Sequence, residues 1–158
     1  MKDLLYLKDD HLKEFIEKLF ISYRESFNDA KKTLEKYSLG IAHHKVIHLI
    51  SIHEGITISN LLKKLKITKQ SLNRVIKELK NFEIIEFKKG EKDTRLKHVY
   101  LTNKGYKIFD EIFSSQKKRI YDALLSSTSS EVNNFNIVIE RIITVSYTHL
   151  TLPTNVAV

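Results

Sequence analysis

The chain has 158 residues, of which 42% are hydrophobic and none is cysteine, and a formal net charge of +8. That length fits one domain with extra helices for an interface, and the apolar share is enough to bury a core; the lack of cysteine excludes disulfides, thiolate catalysis and thiol redox sensing. No apolar run reaches the roughly 18 residues a bilayer span needs, and the N-terminus is too acidic and too short in its apolar part for a signal peptide, so a cytoplasmic location is expected.

Asp9–Tyr37 reads as one long amphipathic helix. Leu12, Phe15, Ile16, Leu19, Phe20, Tyr23, Phe27, Ala30, Leu34 and Tyr37 recur at helical spacing. Asp9 or Asp10 supplies a cap. Its aromatics exceed what a small core needs, so part of the stripe is expected to face a partner subunit. Burial against the chain's own later helices is the alternative, and the two can hold for different turns. Ser38-Leu39-Gly40 breaks this helix. A second is predicted from Ile41 to Ile52, with Val46, Ile47, Leu49 and Ile50 inward and Gly55 as a left-handed C-cap. His44 and His48 stand four apart and could share a metal on one helical face. No Cys, Asp or second His pair at ligand spacing completes such a site, so surface or interface histidines are expected and no metal or cofactor is assigned.

Thr57-Ile58 is short and β-like. Ser59 is expected to cap a helix running to Leu65, with Leu61, Leu62 and Leu65 inward. Lys66-Ile67 makes a turn, and Thr68 is a good N-cap for a helix through Lys80. On that helix Leu72, Val75, Ile76 and Leu79 fall on one side. Gln70, Arg74, Lys77 and Asn81 fall on the other, flanked by Lys69, Asn73 and Lys80. Two short helices joined this way, the second with an apolar inner face, make a helix-turn-helix. Glu83–Phe87 then reads as a strand, Lys88–Arg95 as a charged turn and Lys97–Leu101 as the return strand.

Thr102 caps a further helix whose apolar side runs from Tyr106 to about Leu125. Thr128-Ser129-Ser130-Glu131 is a capping-box pattern before a last helix carrying Val132, Phe135, Val138, Ile139, Ile142 and Ile143. The expected fold is mainly α with a small β-hairpin wing. It is a winged helix-turn-helix (residues 41–101) set between N- and C-terminal dimerisation helices (residues 9–37 and 103–145).

The charge is concentrated. Between Ser59 and His98 stand twelve Lys/Arg and five acids, a net +7 out of the chain's +8. A basic segment of that kind is the electrostatic footprint expected for nucleic acid, although a solvated lysine-rich surface gives the same count. The residue types suit the first reading. Amide side chains pair with adenine edges, Arg pairs with guanine, and Lys meets phosphate. Lys69, Gln70, Ser71, Asn73 and Arg74 are therefore the base-edge candidates. Lys77 and Lys80 are candidate backbone contacts, and the basic wing, with Lys92, Asp93, Arg95 and Lys97, is a candidate for the minor groove.

At Leu39–Val46, at Ile67–Val75, at the wing Asp93-Thr94-Arg95 and at Leu101-Thr102-Asn103-Lys104-Gly105, the chain resembles the MarR family of bacterial transcription regulators, over about Asp9 to Val145. The Ala42-His43-His44 stretch and Thr68–Val75 look like a PetP-like subgroup. The resemblance implies a homodimer on a pseudo-palindromic duplex-DNA operator, acting as repressor or activator, and often a small-molecule effector pocket near the DNA-binding lobe. It also implies that Asp93 orients the wing module and that Arg95 reaches the minor groove. Thr94 stands where the family's wing motif carries a middle Arg. A winged-helix protein–protein adaptor without DNA reading is the alternative. No nucleophile elbow, glycine-rich phosphate loop or paired-carboxylate pattern points to an enzyme. Residues 146–158 lose both the helical period and the charged character and hold the only proline. They resemble translated sequencing-adapter DNA, and a non-native or disordered tail is expected there.

Overall fold

In the computed structural model, residues 4–144 are described; the segment 146–158, singled out above as a suspected tail, lies outside them. A short 3-10 turn at Leu5–Leu7 leads into α1 (Asp9–Asn28), α2 (Lys31–Lys36) and α3 (Ile41–Ile52). Then follow β1 (Ile56–Thr57), α4 (Ile58–Leu65), α5 (Lys69–Asn81), β2 (Ile85–Lys89), β3 (Lys97–Leu101), α6 (Asn103–Leu125) and α7 (Ser129–Thr144). The chain divides into two units, one ending at Lys118 and the other beginning at Arg119.

The core of the larger unit gathers residues from α2 to α6. Val46, Ile47 and Ile50 of α3, Leu61 of α4, Leu72 and Leu79 of α5, Val99 of β3 and Ile108 and Ile112 of α6 are its buried centre. The sheet is antiparallel in the order β1-β3-β2, with Ile56 opposite Val99 and Ile85 opposite Leu101. β1 turns the hairpin into a three-stranded sheet and ties it to the start of α4. In the smaller unit, Thr128 and Glu131 form the expected capping box: the Thr128 amide donates to the Glu131 carboxylate at 2.8 Å, and the Glu131 amide to Thr128 Oγ1 at 3.2 Å.

Four local expectations need correction. The predicted helix Asp9–Tyr37 is two helices, separated at Asp29-Ala30, where the Ala30 amide bonds back only three residues to Phe27. Asn28 and Asp29 are weak helix formers whose side chains compete for backbone groups. Neither Asp9 nor Asp10 caps α1. Lys8 is the N-cap, without a side-chain bond, and the two acids lie in the first turn, where the helix dipole favours them. Thr57 rather than Ser59 caps α4, its hydroxyl accepting the Asn60 amide at 3.2 Å. Gly55 does adopt positive φ (+78°), but not as the residue after the cap. It is the third residue of a turn closed by the Ile56 amide on the His53 carbonyl.

The hairpin strand begins two residues later than predicted, for a definite reason. Glu83 is left-handed, φ +59°, and its amide donates to Lys80 O while the Ile84 amide donates to Leu79 O. That is a Schellman close of α5 with a glutamate where glycine is usual, stapled by Leu79 and Ile84, both buried. The same pattern closes α2 at Ser38 (φ +56°), with Leu34 and Leu39 as the buried pair. A left-handed non-glycine residue costs about 1 kcal/mol, so burial of each staple fixes the chain reversal against local preference.

The Leu101–Gly105 stretch locks the end of α5. Thr102 Oγ1 donates to Glu83 O at 2.6 Å and accepts the Gly105 amide at 3.0 Å, capping α6. Lys104 Nζ donates to Phe82 O at 2.7 Å. A Cβ on Gly105 would lie 2.2 Å from the Ile84 carbonyl oxygen. Two predictions follow from these junctions. Gly105→Ala should lower stability by at least about 2 kcal/mol in urea unfolding, because backbone has to move. Glu83→Gly should raise it by roughly 0.5–1 kcal/mol by relieving the left-handed strain.

Candidate nucleic-acid interface

α5 forms because its ends are well capped and its apolar period is clean. The Thr68 hydroxyl accepts the Ser71 amide at 3.1 Å and donates to Ser71 Oγ at 2.8 Å. Leu72, Val75, Ile76 and Leu79 are buried. Lys69, Gln70, Ser71, Asn73, Arg74, Lys77 and Lys80 are all exposed. The wheel drawn from sequence is thus the wheel the fold builds. Ser71 has a local duty in the cap, and its own hydroxyl hydrogen remains available to a ligand. α4 ends at Lys66 in a left-handed C-cap (φ +51°), which turns the chain directly into Ile67-Thr68.

The wing tip is ordered by its aspartate. Asp93 Oδ1 accepts the Arg95 amide at 3.0 Å, Asp93 O accepts the Leu96 amide at 3.2 Å, and the Gly90 amide closes the loop on Leu96 O at 2.9 Å. Lys92, Asp93 and Arg95 are exposed at this tip, and Lys97 opens β3. Lys88 and Lys89, assigned to the turn from sequence, belong to β2 instead.

Two cations converge on one ring that the sequence reading left unassigned. Lys80 Nζ of α5 lies 5.5 Å and Lys97 Nζ of β3 5.9 Å from the centre of Phe87. Both ammonium groups are drawn to the ring, which ties α5 and β3 to the same side chain of β2. Lys88 Nζ sits 4.6 Å over Tyr100 in the same way. His98 Nδ1–H donates to the Gly55 carbonyl at 2.7 Å and anchors the hairpin to the end of α3. A lone aromatic at a strand position gives no sign in sequence of which cations it will gather.

The histidines also differ from expectation. His44 is 1% exposed, where a surface or interface residue was expected. Its Nε2–H donates to Gln116 Oε1 at 3.2 Å, and Gln116 in turn donates to Ser26 O. Burial pushes its pKa down, which favours the neutral imidazole, and Nδ1 is a buried atom with no hydrogen-bond partner among the described residues. Phe27, His44, Lys45, His48, Leu49, Lys64, Leu65 and Gln116 line a cleft of about 350 Å³. His43 is half-buried and links α3 to α5. Its Nδ1 accepts the Gly40 amide at 2.9 Å, and its Nε2–H donates to Glu78 Oε2 at 2.5 Å. Glu78 Oε1 also accepts from Arg74 Nε at 3.2 Å. The bond from His43, then that from Arg74, holds the Glu78 carboxyl below its usual range. Among the described residues no group of three or more His, Asp or Glu is arranged to hold a metal ion.

The wing-tip geometry carries its own check. Asp93→Ala should expose the Arg95 amide to faster hydrogen exchange while global stability changes by no more than about 1 kcal/mol. Asp93→Asn, which keeps an acceptor, should retain most of the protection.

Comparison with known proteins gives a consistent picture. A family model described as MarR family matches residues 37–96. The HTH-type transcriptional regulator PetP of Rhodobacter capsulatus is 36% identical over 137 residues, covering 87% of this chain and 82% of that protein. Among solved structures, MarR of Staphylococcus aureus in complex with salicylate and kanamycin matches with a TM-score of 0.69 at 18% identity, covering 85% of this chain and 91% of that one. The S. aureus MepR–DNA complex matches at 0.56 and 21% identity, covering 78% and 93%. These structures share the winged helix-turn-helix fold described above, and the identity to PetP across most of both chains extends the likeness from fold to lineage: the chain belongs to the MarR family of transcriptional regulators.

Proposed function

We propose that this protein is a sequence-specific duplex-DNA-binding transcriptional regulator that acts as a homodimer on a pseudo-palindromic operator. The observation that carries the reading is the face of α5. Seven exposed polar residues, Lys69, Gln70, Ser71, Asn73, Arg74, Lys77 and Lys80, stand opposite four buried apolar ones, beside a basic wing. Lys69, Gln70, Ser71, Asn73 and Arg74 are assigned to base edges in the major groove, and Lys77 and Lys80 to phosphates. Arg95 is assigned to the flanking minor groove, with Lys92 and Lys97 beside it and Asp93 setting the loop. The S. aureus MepR relative, of the same fold, has been solved with DNA.

The dimer is supported by apolar surface left bare. On α1, Leu12, Phe15, Ile16, Phe20 and Tyr23 are exposed, whereas Phe27 is half-buried and Ala30 buried. α7 buries no residue and exposes Phe135, Ile137, Val138, Ile142 and Ile143. Exposed apolar residues in such number on each of these helices mark an interface, and a second copy is the partner that suits a two-fold operator. Two α5 helices would then enter successive major grooves about one helical turn apart. We further propose a cytoplasmic location and, in the cleft beside His44, a small-molecule effector. Its apolar lining and few polar groups suit such a ligand, and S. aureus MarR has been solved with salicylate and kanamycin. An effector would act by favouring one of two pre-existing spacings of the reading helices.

Binding to genomic duplex fragments, followed by gel shift at low salt, tests the reading; absence of any shifted fragment would overturn it. Arg74→Ala with Arg95→Ala should abolish operator binding, whereas a protein–protein adaptor would keep its activity. Lys77→Ala should reduce the slope of log affinity against log salt by about one unit. Sedimentation should give the mass of a dimer, and Phe20→Glu should shift it toward monomer and weaken operator binding together.

A further inference from the structure

Arg74 is tethered. Its Nε donates to Glu78, Glu78 accepts from His43 through its other oxygen, and His43 accepts the Gly40 amide. Because His43 Nδ1 is an acceptor, its proton resides on Nε2, and the bond to the Glu78 carboxylate is charge-assisted. The side chains are 14% exposed at His43, 36% at Glu78 and 82% at Arg74. The series therefore starts in the first turn of α3, where it is held by backbone, and ends at a guanidinium on the outer face of α5. An exposed Arg–Glu pair one turn apart adds little to stability. The anchor on His43 gives this one a fixed geometry.

We propose that Glu78 is a positioning residue for base reading by Arg74. With Nε occupied, both terminal nitrogens of Arg74 have no partner among the described residues and are left to donate side by side to guanine O6 and N7. Holding a rotamer-rich side chain before binding lowers the ordering cost of the contact. Glu78 is also the only acid on α5, and its charge opposes phosphate. It thereby weakens the hold of α5 on arbitrary sequence while sharpening its hold on the right one. The inference rests on the proposed reading of α5 as the major-groove helix.

The experiment uses the full chain and two probes: a duplex enriched by the wild-type protein from a randomised pool, and a scrambled duplex of the same length. Glu78→Gln keeps the shape and removes the charge. Affinity for the enriched duplex should fall roughly five- to tenfold, while affinity for the scrambled one stays the same or rises. In an Arg74→Ala background the substitution should no longer lower affinity for the enriched duplex, which should then respond as the scrambled one does. His43→Asn retains an acceptor for the Gly40 amide but is too short to reach Glu78. It should shift the ratio in the same direction, with both probes measured well below the variant's melting temperature so that a loss of stability is not read as a loss of specificity. An unchanged ratio in Glu78→Gln, or equal losses on both probes, overturns this inference alone. A wild-type selection that enriches no duplex overturns the DNA reading, and this inference with it.

Discussion

The close approach of Gly105 to the Ile84 carbonyl is the constraint on which the reading module depends. At that point the end of α5, the start of β2, the end of β3 and the start of α6 meet. Thr102 and Lys104 bond to the carbonyls of Glu83 and Phe82, just where α5 has run out of its own donors. A side chain at 105 would force this junction apart, and with it the angle between α5 and the wing. The Leu-Thr-x-x-Gly pattern thus has a mechanical meaning: buried leucine, capping threonine, and a glycine that admits a neighbouring backbone.

Helix ends do much of the architectural work in this chain. α2 and α5 both close with Schellman turns, at Ser38 and Glu83, without glycine. The local cost is offset by burying Leu34 with Leu39 and Leu79 with Ile84. α3 starts with the Gly40 amide on His43, and the same imidazole reaches Glu78 on α5. The two ends of α3 are therefore tied to the two parts of the candidate interface. The N-terminal end is joined to α5 through His43, and the C-terminal end to the wing through Gly55 and His98. His44, next along α3, lines the cleft proposed for an effector.

Much of this was legible in the amino-acid order. The period of Leu72, Val75, Ile76 and Leu79 assigns the inner face of α5, and its polar residues follow by exclusion. Thr68, Thr102 and Thr128 announce helix starts because their side chains act within one turn. The wing is announced by apolar runs around a charged turn, and its return strand agrees residue for residue. The family resemblance is carried by the same stretches. Where the reading failed, the competing physics is identifiable. A left-handed glutamate carries no local sign, so the sequence reads Glu83 as the start of the strand. The break at Asp29 went unseen because the apolar period continues through it.

The sequence by itself determined the order of the elements, the apolar face of each, and the candidate set on α5 and the wing. These depend on spacings of one to four residues, which the chain displays directly. Tertiary structure alone decided which side chains meet across elements. It buried His44 against Gln116, 72 residues away, joined His43 to Glu78 and Arg74, and gathered Lys80 and Lys97 on Phe87. It also divided the aromatic stripe of α1, leaving Phe15 and Phe20 bare and turning Phe27 toward His44, with ring centres 5.0 Å apart. Such pairings depend on how whole helices cross, and that is set by the collective packing of the core rather than by any local run of residues.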